Sequence, residues 1–423
     1  MSEVGELRRT KTFTDMKTKS LLAAMMAAAL SSNFVACSDD DDPFSGGGSG
    51  ADGKTIIVNV EEPGTFQSEY DNIISHYDEG SELNNLVVKG KLNREDMENL
   101  NVARILGIYS KKWADTVYLD MSEIQIVAST YEGKSYQANH LYGGMNWTPF
   151  VVTKLPKNIE VVEDNIDFGK VMDISNLLSE KLEEIGDGAF SAVGDRMTPT
   201  EIVFPKSLKR IGDYAFSHNP NITKIATQGN IQIERWAFVG CESLEEVELN
   251  GVETIEEHTF DGCLNGEERK MTVSIPDVKY IKEGAFGHDG YTNVVNELEV
   301  RNIENVIEIG EDAFAGIQNL NIDLASAVNL KKIGHGAFSD FGGDEITFPE
   351  NVEEIGRVLM EPIPVIHMLA KTPPTCKPNG LPLRCDTLYV PKGCKSIYEK
   401  EAKSGNDYEM NIRGLKCNVI LEE

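Results

Sequence analysis

The chain is poor in basic residues, histidines and cysteines. Its 423 residues include 40 Lys and Arg against 69 Asp and Glu, a formal net charge of -29 at pH 7. Because so acidic a protein repels a phosphate backbone, we expect no nucleic-acid partner. The seven histidines form no HExxH, and the seven cysteines form no CxxC. The common zinc motifs are therefore absent, and we predict no metal and no cofactor.

A nucleophile motif is missing too. The GxSxG pattern of esterase-type hydrolases does not occur, and that pattern positions the serine of such enzymes. A glycosidase needs only two carboxylates, but in a chain this rich in acids a suitable pair has no diagnostic value. We therefore predict no catalytic residue and a non-enzymatic protein.

The N-terminal apolar run is too short to span a membrane. Lys17 and Lys19 precede the run Leu21–Leu30, and small or apolar residues lead from it to Cys37. A membrane helix needs about 20 apolar residues, whereas this layout is typical of a secretory signal. We expect Met16 to be the start, with Met1–Asp15 an upstream extension of the reading frame; a long signal n-region is the alternative.

The residues before and after Cys37 indicate a lipid anchor. The stretch FVAC, Phe34–Cys37, resembles the lipobox of bacterial lipoproteins, with Phe where Leu is commonest. The resemblance implies lipidation of Cys37; an ordinary signal peptide with an incidental cysteine is the alternative. The next residues, SDDDD, are similar to the tract that sends Bacteroidetes-type lipoproteins to the cell exterior, or they form a solvated spacer. A Gly/Ser-rich flexible tether completes residues 38–53.

One phrase of nine residues repeats along the middle of the chain. LEEIGDGAF at 182–190 returns as LKRIGDYAF at 208–216 and LKKIGHGAF at 330–338, and a decayed copy ends at Met360. Phe168 closes an earlier, imperfect copy. A period in the low twenties predicts a leucine-rich-repeat solenoid. The closing aromatics are Phe190, Phe216, Phe238, Phe260, Phe286, Phe314 and Phe338.

Each copy also contains a second apolar element. Alternating residues such as Val247 and Leu249 predict one short parallel strand per coil. The phenylalanines predict an aromatic spine, in which burial of each ring contributes about 1.5–3 kcal/mol. Glycine follows isoleucine in most copies, where we expect it to permit a tight turn or a positive φ. These glycines are Gly186, Gly212, Gly310, Gly334 and Gly356.

The phrase LxxIGxxAF, the FP or IP before it and the small residue or cysteine after the phenylalanine resemble the BspA-like leucine-rich repeats, also found in Treponema surface proteins. The fold expected is a right-handed leucine-rich-repeat solenoid of β-rich coils with a parallel sheet on one face. A short helical N-terminal cap and a small irregular C-terminal cap would close it. The expected segments are 1–37 signal, 38–53 tether, 54–130 N-terminal cap and entry repeats, 131–168 aromatic loop and imperfect repeat, 169–360 repeats and 361–423 C-terminal cap.

The outward residues of the predicted strands form two columns. We align Val203, Ala226, Glu248, Ser274, Glu299, Asp323 and Thr347 in one, and Glu201, Lys224, Glu246, Thr272, Glu297, Asn321 and Glu345 in the other. Repeat proteins bind partners through such extended surfaces. The candidate surface predicts a partner with basic side chains; acids that only maintain solubility are the alternative. The candidate residues are Glu246, Glu248, Glu297, Glu299, Asp323 and Glu345.

Two further features are candidates for function or stability. The loop 131–150 carries Tyr136, Tyr142 and Trp147, which either stack on a sugar or anchor a protein, or pack the junction before the repeats. Cys241 and Cys263 occupy the same place in neighbouring copies. Strand spacing permits a disulfide between them; two single buried thiols are the alternative. Four cysteines in the tail allow further bridges.

The resemblance implies a non-enzymatic cell-surface binding protein, lipid-anchored in the outer membrane and facing the exterior. Adhesion to host matrix or cells through protein–protein contact is the expected function. The membrane would be contacted through the lipid alone. A glycan-binding lipoprotein for nutrient capture is the alternative, and an architectural envelope role is a further one.

Overall fold

A computed structural model describes residues 54–100, 111–145, 150–166, 170–171, 174–175, 178–191, 200–264, 269–287, 296–356, 363–376, 383–402 and 415–423. The predictions on Cys37, the tether 38–53, Trp147, Phe168 and Met360 lie outside these residues.

The described part is built almost entirely from strands. In chain order they are β1 (Lys54–Val60), β2 (Leu83–Leu92), β3 (Trp113–Ile126), β4 (Ser129–Tyr131), β5 (Lys134–Tyr136), β6 (His140–Leu141), β7 (Phe150–Lys154), β8 (Val161–Val162), β9 (Lys170–Val171), β10 (Glu184–Ile185), β11 (Thr200–Val203), β12 (Arg210–Ile211), β13 (Ile222–Thr227), β14 (Gln232–Ile233), β15 (Glu246–Leu249), β16 (Thr254–Ile255), β17 (Lys270–Ser274), β18 (Tyr280–Ile281), β19 (Glu297–Arg301), β20 (Glu308–Ile309), β21 (Asn319–Ile322), β22 (Lys332–Ile333), β23 (Glu345–Phe348), β24 (Glu354–Ile355), β25 (Ile363–Met368), β26 (Thr375–Cys376), β27 (Leu383–Val390) and β28 (Leu415–Glu422). Helices are α1 (Phe66–Ile74), a 3₁₀ turn (Leu324–Ser326) and α2 (Lys395–Ala402), and residues 94–100 are also helical.

The strands form two series of parallel sheets. We call the series that contains all the longer parallel strands, and the two-residue β9, the long-strand face; its sheet orders are β1-β2-β3-β7-β9, β11-β13-β15-β17-β19-β21 and β23-β25-β27-β28. We call the series made only of two-residue strands the short-strand face; its orders are β14-β12-β10-β8-β6 and β16-β18-β20-β22-β24-β26. Only the β4–β5 pair is antiparallel among the described strands. This arrangement is the β-rich repeat solenoid that the sequence predicts.

Alternation along the long strands places one residue in two in the core. Val247 pairs with Val273 in register, and Val273 pairs with Val300. All three are buried. Inward residues of neighbouring coils therefore stack directly on one another, which is how each coil buries an apolar side that it cannot bury alone.

The closing phenylalanines form the predicted aromatic spine. Their rings stack in sequence from Phe190 to Phe338 with centroid distances of 5.3, 5.3, 5.7, 5.3, 5.4 and 5.8 Å. Ring planes deviate by 15° at most, and the spine is buried throughout. Stacked pairs contribute beyond the burial of their area.

The glycine after isoleucine is explained by close approach of the coils, not by a positive φ. A Cβ at Gly334 would lie 2.4 Å from the carbonyl carbon of Gly310 in the preceding coil. The expectation of a positive φ is wrong for this glycine, since the left-handed residue lies two positions later, at Gly336 with φ 64°. A side chain at Gly334 would separate the two backbones.

Helices close both ends of the described part. Phe66 and Tyr70 of α1 are buried, and the Trp113 indole donates a hydrogen bond of 3.0 Å to the Tyr70 hydroxyl. At the other end, α2 buries Tyr398, whose hydroxyl donates to the Ala370 carbonyl at 2.6 Å. The C-terminal cap is more regular than expected, because β25, β27 and β28 continue the parallel sheet.

Candidate binding surface on the long-strand face

The outward columns are correct from β11 to β17 but shift by two residues at β19. Thr272 pairs with Glu299, and Ser274 pairs with Arg301. Glu297 therefore lies beside Lys270 rather than Thr272. A shift of two residues leaves inward and outward sides unchanged, whereas a shift of one exchanges them. Burial patterning in the sequence consequently could not detect the error.

Basic side chains pair with most of the candidate carboxylates. Lys224 Nζ lies 3.0 Å from both Glu246 Oε2 and Glu248 Oε1. The hydrogen bond from Lys224 lowers the pKa of Glu248. This surface thus contains an ion-pair network, and exposed pairs of this kind add little to stability because water and salt screen them.

A second part of the network lies two strands further along. Lys270 Nζ contacts Glu297 Oε1 at 2.6 Å. Arg301 holds Glu299 with two nitrogen–oxygen distances of 2.9 Å, and this contact lowers the pKa of Glu299. Four of the six candidate carboxylates are therefore paired. The surface carries both signs of charge rather than being uniformly acidic.

The two remaining candidates lie downstream. Glu345 Oε2 is 3.9 Å from His367 Nε2. Asp323 precedes the 3₁₀ turn and forms no side-chain hydrogen bond there. These carboxylates extend the negative charge of the long-strand face beyond the ion-pair network.

A cleft of about 450 Å³ opens where β15 and β17 begin. Arg269, Lys270 and Arg301 line it together with Glu242, Glu245 and Glu246. These three cations and three carboxylates provide hydrogen-bond donors and acceptors for charged side chains of a partner. Sequence reasoning missed the cations because it followed the acids alone, although Lys270 and Arg301 obey the same outward alternation.

The described tyrosines of the aromatic loop pack against the body of the protein. Tyr142 is fully buried, and its hydroxyl donates to the Gln137 carbonyl at 2.7 Å. Burial raises the pKa of Tyr142 to about 12. The Tyr136 ring meets it edge to face at 5.0 Å. The Tyr142 ring thus belongs to the core and is not a platform for a sugar.

Cys241 and Cys263 are free thiols, so the bridge considered for them is not formed in the structure. Their sulfurs are directed to the preceding coil rather than to each other. Cys241 Sγ donates to the Phe216 carbonyl and Cys263 Sγ to the Phe238 carbonyl, each at 3.2 Å. Burial raises the pKa of Cys241 to about 12 and also raises that of Cys263.

The tail contains a different thiol pair. Cys385 and Cys417 face each other in the register of β27 and β28, and both are free. Their contact raises the pKa of Cys385 and lowers that of Cys417. Cys417 is also partly exposed, whereas Cys385 is buried.

We expect alkylation of Cys417 to precede that of Cys241 and Cys263 in the native protein. The reactive species is the thiolate, which forms at lower pH on Cys417 because its pKa is lowered. Iodoacetamide labelling at several pH values with peptide mass spectrometry measures the order. Labelling in denaturant is the control, since there all three should react alike; earlier native labelling of Cys241 would contradict the assignment.

One stretch matches a phosphate-binding pattern that sequence reasoning overlooked. Residues 48–55, GSGADGKT, fit GxxxxGK[ST]. Phosphate loops of this type lead into a helix whose N-terminus holds the phosphate. Here β1 begins at Lys54. A strand therefore follows the glycines, and the match does not indicate a nucleotide site.

The described residues also lack two other features. No three His, Cys, Asp or Glu side chains among them come together as ligands for a metal ion. No helix in the described ranges has the length and apolarity needed to cross a membrane.

Comparison with known proteins identifies the repeats. A family model, the BspA type leucine rich repeat region, matches residues 167–293 and 291–361 in 6 copies. No curated protein matches. A crystallised leucine-rich repeat protein from Bacteroides ovatus is similar over 74% of this chain and 85% of its own, at 16% identity and a TM-score of 0.31. The family match and the stacked coils agree, and residues 167–361 are BspA-type leucine-rich repeats.

Proposed function

We propose that the chain is a cell-surface binding protein whose long-strand face contacts a protein partner, as in adhesion to host matrix or cells. Repeat solenoids bind through extended surfaces made by successive coils. BspA-type proteins are usually surface-associated. The partner would carry exposed basic side chains, because the outward residues of the long-strand face have more acids than bases.

The mixed-charge cleft is the observation that carries the proposal. Arg269, Lys270 and Arg301 lie among carboxylates on or just before strands of three successive coils. Charged groups held by neighbours lose less freedom on binding than free side chains do. Such an arrangement favours selection among protein partners by complementary charge.

Neutralising four carboxylates should weaken binding. We expect Glu246→Gln, Glu248→Gln, Glu297→Gln and Glu299→Gln together to reduce affinity for a basic partner at least about tenfold, since Lys224, Lys270 and Arg301 would then repel it. Surface plasmon resonance against extracellular-matrix proteins, at low and at high salt, measures the change. Binding by the unmodified chain should weaken as salt rises.

A matched control changes the same charge elsewhere. Glu183, Glu253, Glu308 and Glu353 are paired with lysines at or next to the short strands. Their replacement by Gln should leave affinity unchanged. Equal losses in both quadruple variants would show that only net charge matters, and binding unaffected by the first variant would refute the long-strand face as the site.

Display through a lipid on Cys37 belongs to the same proposal. The FVAC stretch, the SDDDD tract and the Gly/Ser-rich tether support it, since together they would hold the solenoid away from the membrane. Protease treatment of intact cells tests it. Survival of the repeats would contradict outward display.

A further inference from the structure

The turns that follow the short strands share one backbone feature. In nine of the described coils, the residue that lies three positions after the end of the short strand has a positive φ. These φ values range from 49° to 71°. Only glycine does so without steric cost, and Asn and Asp tolerate it better than other residues. We call these positions the turn column: Gly144, Asn165, Gly188, Tyr214, Trp236, His258, Gly284, Asp312 and Gly336.

Three consecutive members of the turn column are bulky rings. Tyr214, Trp236 and His258 have φ values of 56°, 55° and 54°. A left-handed conformation is a genuine outlier for residues of this size. Six of the nine positions carry Gly, Asn or Asp, so the backbone does not require a ring here. Strain retained in neighbouring coils indicates a function for the side chains.

The three rings form a continuous stack, which we call the ring ladder. Tyr214 and Trp236 are 5.4 Å apart with an interplanar angle of 10°, and Trp236 and His258 are 4.5 Å apart at 5°. His258 is held by Asp261, with Nδ1 to Oδ2 at 3.0 Å. Its ring lies against Gly284, where a Cβ would come within 2.5 Å of it. The ladder is therefore closed at its downstream end.

Among the residues that the structure describes, no further ring stacks on its upstream end. Tyr214 is 46% exposed although Trp236 covers one face of its ring. On the other side of the ring, Gly188 in the preceding coil contributes no side chain. The next side chain of the turn column is Asn165, whose Oδ1 lies 3.4 Å from the Cβ position of Gly188. Between Tyr214 and Asn165 one planar group is missing from the stack.

Acidic residues precede the turn column on both sides of this gap. Asp164, Asp187 and Asp213 immediately precede Asn165, Gly188 and Tyr214 in the chain. Asp187 accepts the Asp213 amide and pairs with Arg210, and Asp164 accepts the Asp187 amide. Three acids against one guanidinium leave the rim negative. A neutral sugar would not be attracted by that charge. A planar cation, in contrast, could stack on the ring and donate charge-assisted hydrogen bonds to the carboxylates.

We propose that the open face of Tyr214, above Gly188 and beside Asp187 and Asp213, binds the guanidinium of an arginine on the protein partner. Arginine is planar, always charged and stacks on aromatic rings, whereas the lysine ammonium is a strongly hydrated point charge. The chain itself provides a parallel, since the Arg94 guanidinium lies 5.3 Å from the Tyr136 ring centroid. The inference rests on the proposed function and names a second contact for its partner.

Fluorescein-labelled octa-arginine and octa-lysine test the slot by fluorescence anisotropy on the full chain. Wild-type protein should bind octa-arginine at least about fivefold more tightly than octa-lysine, in keeping with a cation–π contact. Tyr214→Gly should abolish this preference while the thermal midpoint stays within a few degrees. Tyr214→Asn, with the residue already present at position 165, should do the same. Asp312→Gly, in the same column but without a ring, should change nothing.

Equal affinity for the two peptides in wild type, or a preference that survives both Tyr214 variants, would overturn the slot. Tyr214-dependent binding of maltohexaose in place of octa-arginine would overturn it in favour of a sugar site. Matrix-protein affinity of the Gln variants separates the two proposals. If the long-strand variant loses the partner and Tyr214→Gly keeps it, only the arginine slot fails.

Discussion

Replacing Phe238 with alanine is expected to destabilise the protein by about 3 to 5 kcal/mol, the usual cost of removing a buried aromatic ring. Phe238 is fully buried and stacks on Phe216 and Phe260 at 5.3 and 5.7 Å. A further ring, Phe204, lies 6.3 Å away. The cavity left by the ring would thus weaken two coil interfaces, the one with Phe216 and the one with Phe260.

The loss is large because coils of a solenoid stabilise only their neighbours. Without the Phe238 ring, the aromatic spine is divided into an upstream half, which ends at Phe216, and a downstream half, which begins at Phe260. The strands would then be the main contact between the two halves. We expect a lower denaturant midpoint and a broader transition, since the halves would unfold less cooperatively. Against a typical total of about 5 to 15 kcal/mol, the change is readily measured.

Urea unfolding followed by circular dichroism measures this change. Phe341→Ala is the matched control, because the Phe341 ring packs against the core but is only partly buried. Its loss should cost less than about 2 kcal/mol. If Phe238→Ala costs no more than Phe341→Ala, the spine does not dominate the stability of the repeats.

Much of this fold could be predicted because two periodicities coincide in the sequence. The spacing of phenylalanines such as Phe216 and Phe238 indicated stacked coils, and alternation at Val247 and Leu249 indicated the inward side of the strands. The register of β19 could not be predicted, since a shift of two residues preserves that alternation. The register decides which acid lies beside which base. The ion pair between Lys270 and Glu297 therefore could not be predicted from the sequence.

The ring ladder was visible in the sequence but could not be interpreted there. GDYAF, ERWAF and EEHTF show Tyr214, Trp236 and His258 at one place in three consecutive phrases. Their spacing alone does not distinguish surface residues from a stack. The positive φ at these positions, which is unfavourable for ring side chains, is what indicates a function. This φ depends on the tertiary structure of each turn and cannot be read from the sequence. Likewise, Tyr142 could be placed in the core only once its neighbours were known.

The second large effect is expected at Asp96, a fully buried carboxylate behind the first coil. Its Oδ2 accepts the amides of Gly64 and Asn93 at 2.6 and 3.0 Å, and its Oδ1 accepts that of Phe66 at 2.9 Å. Asn93 Oδ1 in return accepts the Asp96 amide at 3.0 Å. This reciprocal pair caps the helical stretch at 94–100 in the manner of a capping box.

The same carboxylate caps a second helix. Thr65 at the start of α1 forms no side-chain capping hydrogen bond, and Asp96 binds the amides on either side of it. Asp96 thus connects the helical stretch at 94–100 to α1, which packs Phe66 and Tyr70 into the core and contacts β1. An edge strand without such cover is open to pairing with other chains.

Asp96→Ala is therefore expected to destabilise the N-terminal cap by about 3 to 5 kcal/mol, because three backbone amides, among them that of the buried Phe66, lose a charged acceptor together. Asp96→Asn retains one acceptor oxygen and should lose less. Glu95→Ala removes an exposed acid from the same turn and should stay within about 0.5 kcal/mol. Hydrogen exchange of residues 54–60 locates the effect: exchange should accelerate in Asp96→Ala before the repeats unfold. Acceleration spread evenly over all coils would instead mean that the cap and the repeats unfold as one unit, since a local cap would open at lower free energy than the coils it covers.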